Sequence, residues 1–141
     1  MSLGMKMMRK TMLKVSKSQL TFEETVERVR ENAEKVGWNV PSVLDLQKHY
    51  TEHGFGDMSR ATVIYFCNPR GGYDISRDDE FKPMFVMMPT GVCVYETSTG
   101  EVQVARMNLG FMSVMFGGIV RRTLKEGGFK LERALEGITA A

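Results

Sequence analysis

The sequence is poor in the residues that most often announce a chemistry. It holds two cysteines, two histidines, four prolines and one tryptophan among 141 residues. Two cysteines, Cys67 and Cys93, are too few for the disulfide framework of a small secreted scaffold, and no Cys-x-x-Cys spacing supports thioredoxin-type exchange. Two histidines, His49 and His53, leave little material for Ser-His or Cys-His catalysis. No apolar run approaches the roughly 18 residues of a membrane span. Met1 to Met12 is interrupted by Lys6, Arg9 and Lys10, which is not the pattern of a signal peptide. Neither sign of charge dominates: 19 basic residues stand against 17 acidic ones, and a net charge of +2 gives little attraction for nucleic acid or an anionic membrane. Walker and dinucleotide-binding patterns are missing. These absences point to a cytoplasmic protein with no nucleic-acid or membrane partner.

What remains is enough for a folded domain. A chain of this size buries about 70% of its unfolded surface, so it needs no metal or disulfide staple. Residues 1–10, with the basic cluster Lys6, Arg9 and Lys10, read as a solvated, poorly ordered tail, and Met1-Ser2-Leu3 has the look of a cloning remnant. Residues 11–138 form the expected single domain. Thr11 to Lys17 alternates Leu13 and Val15 with Lys14 and Ser16, the period of a half-buried strand. Thr21-Phe22-Glu23-Glu24 is a capping box, and Phe22, Val26, Val29, Ala33 and Val36 make the apolar stripe of a helix that stops at Gly37. Trp38 to Leu46 reads as an edge strand because of Pro41. A short helix is expected over Gln47 to His53.

Thr62 to Cys67 and Met84 to Met88 are β-prone runs, with a loop or poor helix between Arg70 and Lys82. Val92 to Thr97 and Glu101 to Met107 form a hairpin about Ser98-Thr99-Gly100, and Asn108 caps a long C-terminal helix. Phe111, Met115, Ile119 and Leu124 line that helix, with weak points at Gly117-Gly118 and Gly127-Gly128; Leu131, Leu135 and Ile138 continue its apolar stripe. The fold class is therefore α+β, a mostly antiparallel sheet with helices packed on one face. The two β-prone runs are apolar on both faces, so the second sheet face is expected to find a partner, and a homodimer is the favoured one.

Chemistry-bearing residues are few. Cys67 stands at a strand end beside Asn68, Pro69 and Arg70, the setting of a thiol that a cation or a helix N-terminus can activate; as small buried hydrophobes, both cysteines would be inert. His49 and His53 share a helix face at a spacing of four but lack a patterned third ligand. Asn68-Pro69-Arg70-Gly71-Gly72 has the parts of a small anion site. Asp74, Asp78, Asp79 and Glu80 lack calcium-loop spacing.

Cys67-Asn68-Pro69, the run Pro89 to Glu96, the hairpin leading to Asn108 and the helix start Thr21-Phe22-Glu23-Glu24-Thr25 together resemble domain-of-unknown-function family 302. The resemblance spans residues 11 to 138. It implies a β-α-β(4)-α arrangement similar to the TATA-box-binding-protein-like fold, often seen as a dimer, and it brings no activity, cofactor or catalytic residue. The chain departs from the family in Thr90, where members commonly carry cysteine, and in Gly71-Gly72. The leading expectation is a homodimeric module for a small-molecule ligand or a partner, with ligand contacts from Cys67, Asn68, Arg70, Pro89 and Tyr95 and no assigned catalytic residue. The rival readings are a thiol-dependent enzyme or redox sensor using Cys67, and metal binding through His49 and His53.

Overall fold

The computed structural model describes residues 1–140. Five strands form one antiparallel sheet in the order β1-β5-β4-β3-β2. They are β1 (Leu13–Lys17), β2 (Asn39–Asp45), β3 (Ala61–Cys67), β4 (Thr90–Glu96) and β5 (Val102–Met107). Six α-helices accompany them: α1 (Leu3–Thr11), α2 (Phe22–Lys35), α3 (Leu46–Glu52), α4 (Pro69–Ser76), α5 (Leu109–Ser113) and α6 (Gly118–Arg133). With α2 and α6 as the long helices, the core order is the expected β-α-β(4)-α. Among the described residues no helix is long and apolar enough to cross a membrane.

Local chemistry explains the elements the pattern predicts. The Thr21 hydroxyl accepts from the Glu24 amide at 3.2 Å and the Glu24 carboxylate accepts from the Thr21 amide, which closes the capping box of α2. Phe22, Val29 and Ala33 of its apolar stripe are buried, and Gly37 ends the helix at φ 97°. Pro41 falls where the β2–β3 register shifts, on the edge strand that tolerates it.

Three expectations are corrected. Residues 1–10 are not a featureless tail: Leu3–Thr11 is helical, started by the Ser2 hydroxyl on the Met5 amide. Nothing in α1 is buried, so composition alone read it as solvated. Met84 to Met88 is not a strand. Lys82–Met87 turns as a 3-10 helix with Pro83 in its first turn and only Met84 buried, since an apolar run of five does not by itself distinguish strand from helix. The C-terminal helix is divided: Gly118 takes φ 58° and the chain breaks between α5 and α6. That break rotates Phe111, Met115 and Ile119 to exposed positions, while Leu124, Leu131, Leu135 and Ile138 stay buried.

The core lies between the sheet and α2, α4 and α6. Ile64 and Phe66 of β3, Val92 and Val94 of β4 and Val104 of β5 point into it, fully or almost fully buried. On the opposite sheet face Val63, Tyr65, Cys93, Tyr95 and Ala105 are half-buried. The helix α1 packs on β1, and its Arg9 stands close enough to Tyr95 to act on the phenol.

A candidate cleft and a basic groove

The Cys67-Asn68-Pro69 signature builds a helix start. The Asn68 carboxamide oxygen accepts from the Gly71 amide at 3.2 Å, Pro69 occupies the first turn, and α4 runs on to Ser76. The poor helix expected after Arg70 is therefore a formed one. Gly71 is required there by contact, since a Cβ would lie 2.8 Å from the Thr123 methyl of α6 and 2.9 Å from Asn68 Nδ2. The glycine that seemed to weaken α4 lets it dock.

Beside this helix start lies a cleft of about 80 Å³, walled by Phe66, Ile75, Met88, Pro89 and Leu124, with Cys67 and Asn68 at one end. Two of its lining residues, Trp38 and Thr90, each carry a buried side-chain polar atom, Nε1 and Oγ1, with no hydrogen-bond partner among the described residues. Their residues are 7% and 8% exposed, which places both beyond reach of bulk water. Other buried polar groups are paired: Ser18 and Thr25 share a 2.6 Å hydrogen bond, the Ser113 hydroxyl donates to the Gly110 carbonyl at 2.7 Å, and Arg106 donates four bonds. Among the described residues, both side chains with an unpaired buried polar atom belong to residues that line this cleft.

The structure separates the expected ligand contacts. Cys67, Asn68 and Pro89 line the cleft together. Arg70 lies outside it, 81% exposed in its side chain and paired with Asp74 at 3.1 Å. Tyr95 belongs to the far sheet face, where its hydroxyl donates to Gln103 Oε1 at 2.6 Å. Burial pushes the Tyr95 phenol up while Arg9 opposes the shift. Burial likewise raises the Cys93 thiol, which is the opposite of activation. By strand alternation Cys67 follows Val63 and Tyr65, away from the core, and meets the cleft where β3 ends. His49 and His53 stack at 4.7 Å with His53 Nδ1 bonded to the His49 carbonyl, and no third metal ligand joins them among the described residues.

Across α6 lies a larger groove of about 480 Å³, between β1, the end of β5 and α5. Glu132 belongs to its lining and is paired with Arg106 next to it. Arg106, 5% exposed, donates from Nε to Glu132 Oε2 at 3.0 Å and from Nη2 to Oε1 at 2.6 Å, and from Nη1 to Ser16 Oγ at 2.9 Å. Lys14 Nζ stands 3.5 Å from the same carboxylate. Burial alone would raise the Glu132 carboxyl, but the Arg106 hydrogen bonds and charge, with Lys14, outweigh it and hold the group below its ordinary value.

The profile of the family Domain of unknown function DUF302 matches residues 14–138. The chain belongs to the DUF302 family. A solved structure, the crystal structure of the uncharacterized conserved protein DUF302 from Bacillus stearothermophilus, superposes with a TM-score of 0.74 at 16% identity, covering 88% of this chain and 95% of that one. At that identity the likeness establishes the fold. No curated protein matches. For this DUF302 domain, motif reading found the helix start and missed the polar atoms facing the cleft. Trp38 carried a usable signal as the sole tryptophan, placed directly after the helix stop at Gly37. Thr90 carried one as the residue following Pro89. The basic groove had none, because its residues are scattered from Lys14 to Glu132.

Proposed function

We propose that this domain binds a small molecule in the cleft between α4, α6 and the β3–β4 edge, with Trp38 and Thr90 as its polar contacts and Asn68 and Pro89 at its end. The observation that carries this reading is that Trp38 and Thr90, the residues with buried, unpartnered polar side-chain atoms, both belong to the lining of one apolar-walled cleft. An unsatisfied buried group costs about 1–3 kcal/mol, and a ligand that accepts from the indole and pairs with the hydroxyl relieves both penalties at once. About 80 Å³ fits a compact molecule of few heavy atoms with a hydrogen-bond acceptor on an otherwise apolar body. Cys67 at the rim is available to touch it, and among the described residues its thiol has no hydrogen-bonded cation or base, so binding is favoured over thiol catalysis.

Trp38 is the single tryptophan, so its indole N–H resonance and its fluorescence report on this cleft alone. Titration with small carbonyl compounds such as acetone and acetamide is expected to shift the indole resonance saturably, and Thr90→Val is expected to weaken that response. Native mass spectrometry of freshly purified protein, before and after denaturation, shows whether a ligand is carried through purification. An indole signal indifferent to every acceptor, together with a bare chain mass, would defeat the proposal.

Self-association is a second proposal, favoured by α1. Leu3, Met5, Met7, Met8 and Met12 on or beside this helix are 37–74% exposed, next to a sheet face that is half-buried. Methionines repack readily against a copy of themselves, and a two-fold interface requires such self-complementarity. Light scattering at micromolar concentration is expected to give a dimer that deletion of residues 1–11 dissociates; a monomeric full chain refutes this.

A further inference from the structure

The groove on the other side of α6 has a different chemistry from the cleft. Along α6 the residues Arg121, Lys125, Gly128 and Glu132 recur at spacings of four, three and four, one helix face turned from the buried stripe Val120, Leu124, Gly127 and Leu131. The one carboxylate on that face, Glu132, is saturated by Arg106 and Lys14. Among the described residues Arg121 and Lys125 form no ion pair. The groove therefore shows a net positive mouth. Its other walls are apolar: Val114 and Phe129, 60% and 67% exposed, stand beside Leu109 and Met107. A volume of about 480 Å³ lies within the range of small-molecule sites.

We propose that this groove binds an amphipathic organic anion: the head group pairs with Arg121 and Lys125, and a short apolar body lies against Val114, Leu109 and Phe129. The two unpaired cations supply orientation and long-range attraction, and the exposed aromatic and aliphatic walls supply burial. The site is separate from the Trp38–Thr90 cleft, and the two share only the Leu109 side of α5 as a partition.

The test uses the full chain with decanoate as the probe, read by amide NMR and calorimetry. Decanoate, kept below its micelle-forming range, is expected to shift the amides of Gly110, Gly128 and Phe129 saturably, while acetate and inorganic phosphate at equal concentration leave them in place. Arg121 and Lys125 are exposed, so the double variant R121Q/K125Q keeps its fold, verified by an unchanged circular dichroism spectrum and melting curve. It is expected to bind decanoate at least about tenfold more weakly, equivalent to about 1.4 kcal/mol. No shift with decanoate, equal shifts with acetate or phosphate, or unaltered affinity in R121Q/K125Q each overturns the proposal. A response confined to the Trp38 indole places the probe in the other cleft and overturns it as well.

Discussion

The two depressions flanking α6 differ in nearly every physical respect although consecutive glycines open them. Gly127 faces the Trp38–Thr90 cleft and Gly128 faces the basic groove. The first depression is narrow, apolar and neutral, and its polar atoms lack partners. The second is wide and charged, and its buried ions are fully paired. One region leaves hydrogen-bonding capacity unspent at its centre; the other neutralises its centre and leaves free charge at its mouth. A ligand for the first gains by satisfying buried neutral groups, and one for the second gains by meeting cations near solvent.

The largest effect is expected from breaking the pair that Glu132 of the groove makes with Arg106. Glu132→Ala strands the Arg106 guanidinium, 5% exposed, without its carboxylate. Removing one partner of a buried pair costs about 3–5 kcal/mol, and the lower end applies because the Glu132 side chain is 38% exposed. Urea denaturation measures it. A loss below about 1 kcal/mol would mean that Ser16, the Val104 carbonyl and solvent hold the guanidinium unaided.

The glycine pair sharpens the contrast. A Cβ on Gly128 would lie 3.1 Å from the Gly110 backbone nitrogen, so the α5 backbone must give by a few tenths of an ångström, and Gly128→Ala is expected to destabilise by about 1 kcal/mol through overpacking. At Gly127 the nearest atoms are Leu109 Cδ1 at 3.5 Å and Trp38 Cη2 at 3.7 Å, ordinary contact distances. Gly127→Ala is expected to gain up to about 1 kcal/mol of helix propensity while narrowing the cleft. Paired thermal melts settle the sign; a destabilised G127A beside a neutral G128A would reverse the assignment of the two glycines.

Thr90→Val probes the neutral cleft directly. It replaces an unpartnered hydroxyl with a methyl of the same shape, so the ligand-free protein is expected to become more stable by about 1 kcal/mol while the ligand response weakens. Destabilisation instead would show that the hydroxyl has a partner in solution. Loss of a paired hydroxyl is expected to do the reverse: Ser16→Ala removes a 2.9 Å bond from Arg106 and is expected to destabilise.

How much of this was legible in the sequence follows from the range of the interactions. Capping boxes, turn glycines and alternation are local, and they gave α2, the β4–β5 hairpin and the antiparallel α+β class. The Asn68 cap was equally local, which is why the helix start next to the cleft could be recognised. Arg70, close to Cys67 in sequence, and Tyr95, in the run that starts at Pro89, were expected at one site; strand alternation sends Tyr95 to the other face while the first turn of α4 sends Arg70 to solvent. Trp38, just after α2, and Thr90 line one cleft because α2 packs over β3 and β4. Arg106 meets Glu132 only because α6 returns across β5, a pairing over 26 residues that no motif encodes.

The smallest expected effect is the pH dependence that the groove has and the cleft lacks. Glu132 is held below its ordinary value when folded, chiefly because its Arg106 and Lys14 partners outweigh burial. A depressed carboxyl contributes stability that is fully present above its unfolded value, near pH 4.5, and is lost as pH falls through the folded value. The urea midpoint of the wild-type chain is therefore expected to fall between about pH 5 and pH 3, with part of that slope removed in Glu132→Gln. Glu23 and Glu27, depressed by Arg60 and Arg30, are fully exposed and carry little of it. In the cleft an indole, a hydroxyl and a carboxamide face the ligand, and none of them titrates in this window. The indole response to a neutral acceptor should accordingly keep its affinity from pH 7 to pH 5. A response that tracks pH in that interval would defeat the reading of the cleft as a neutral site.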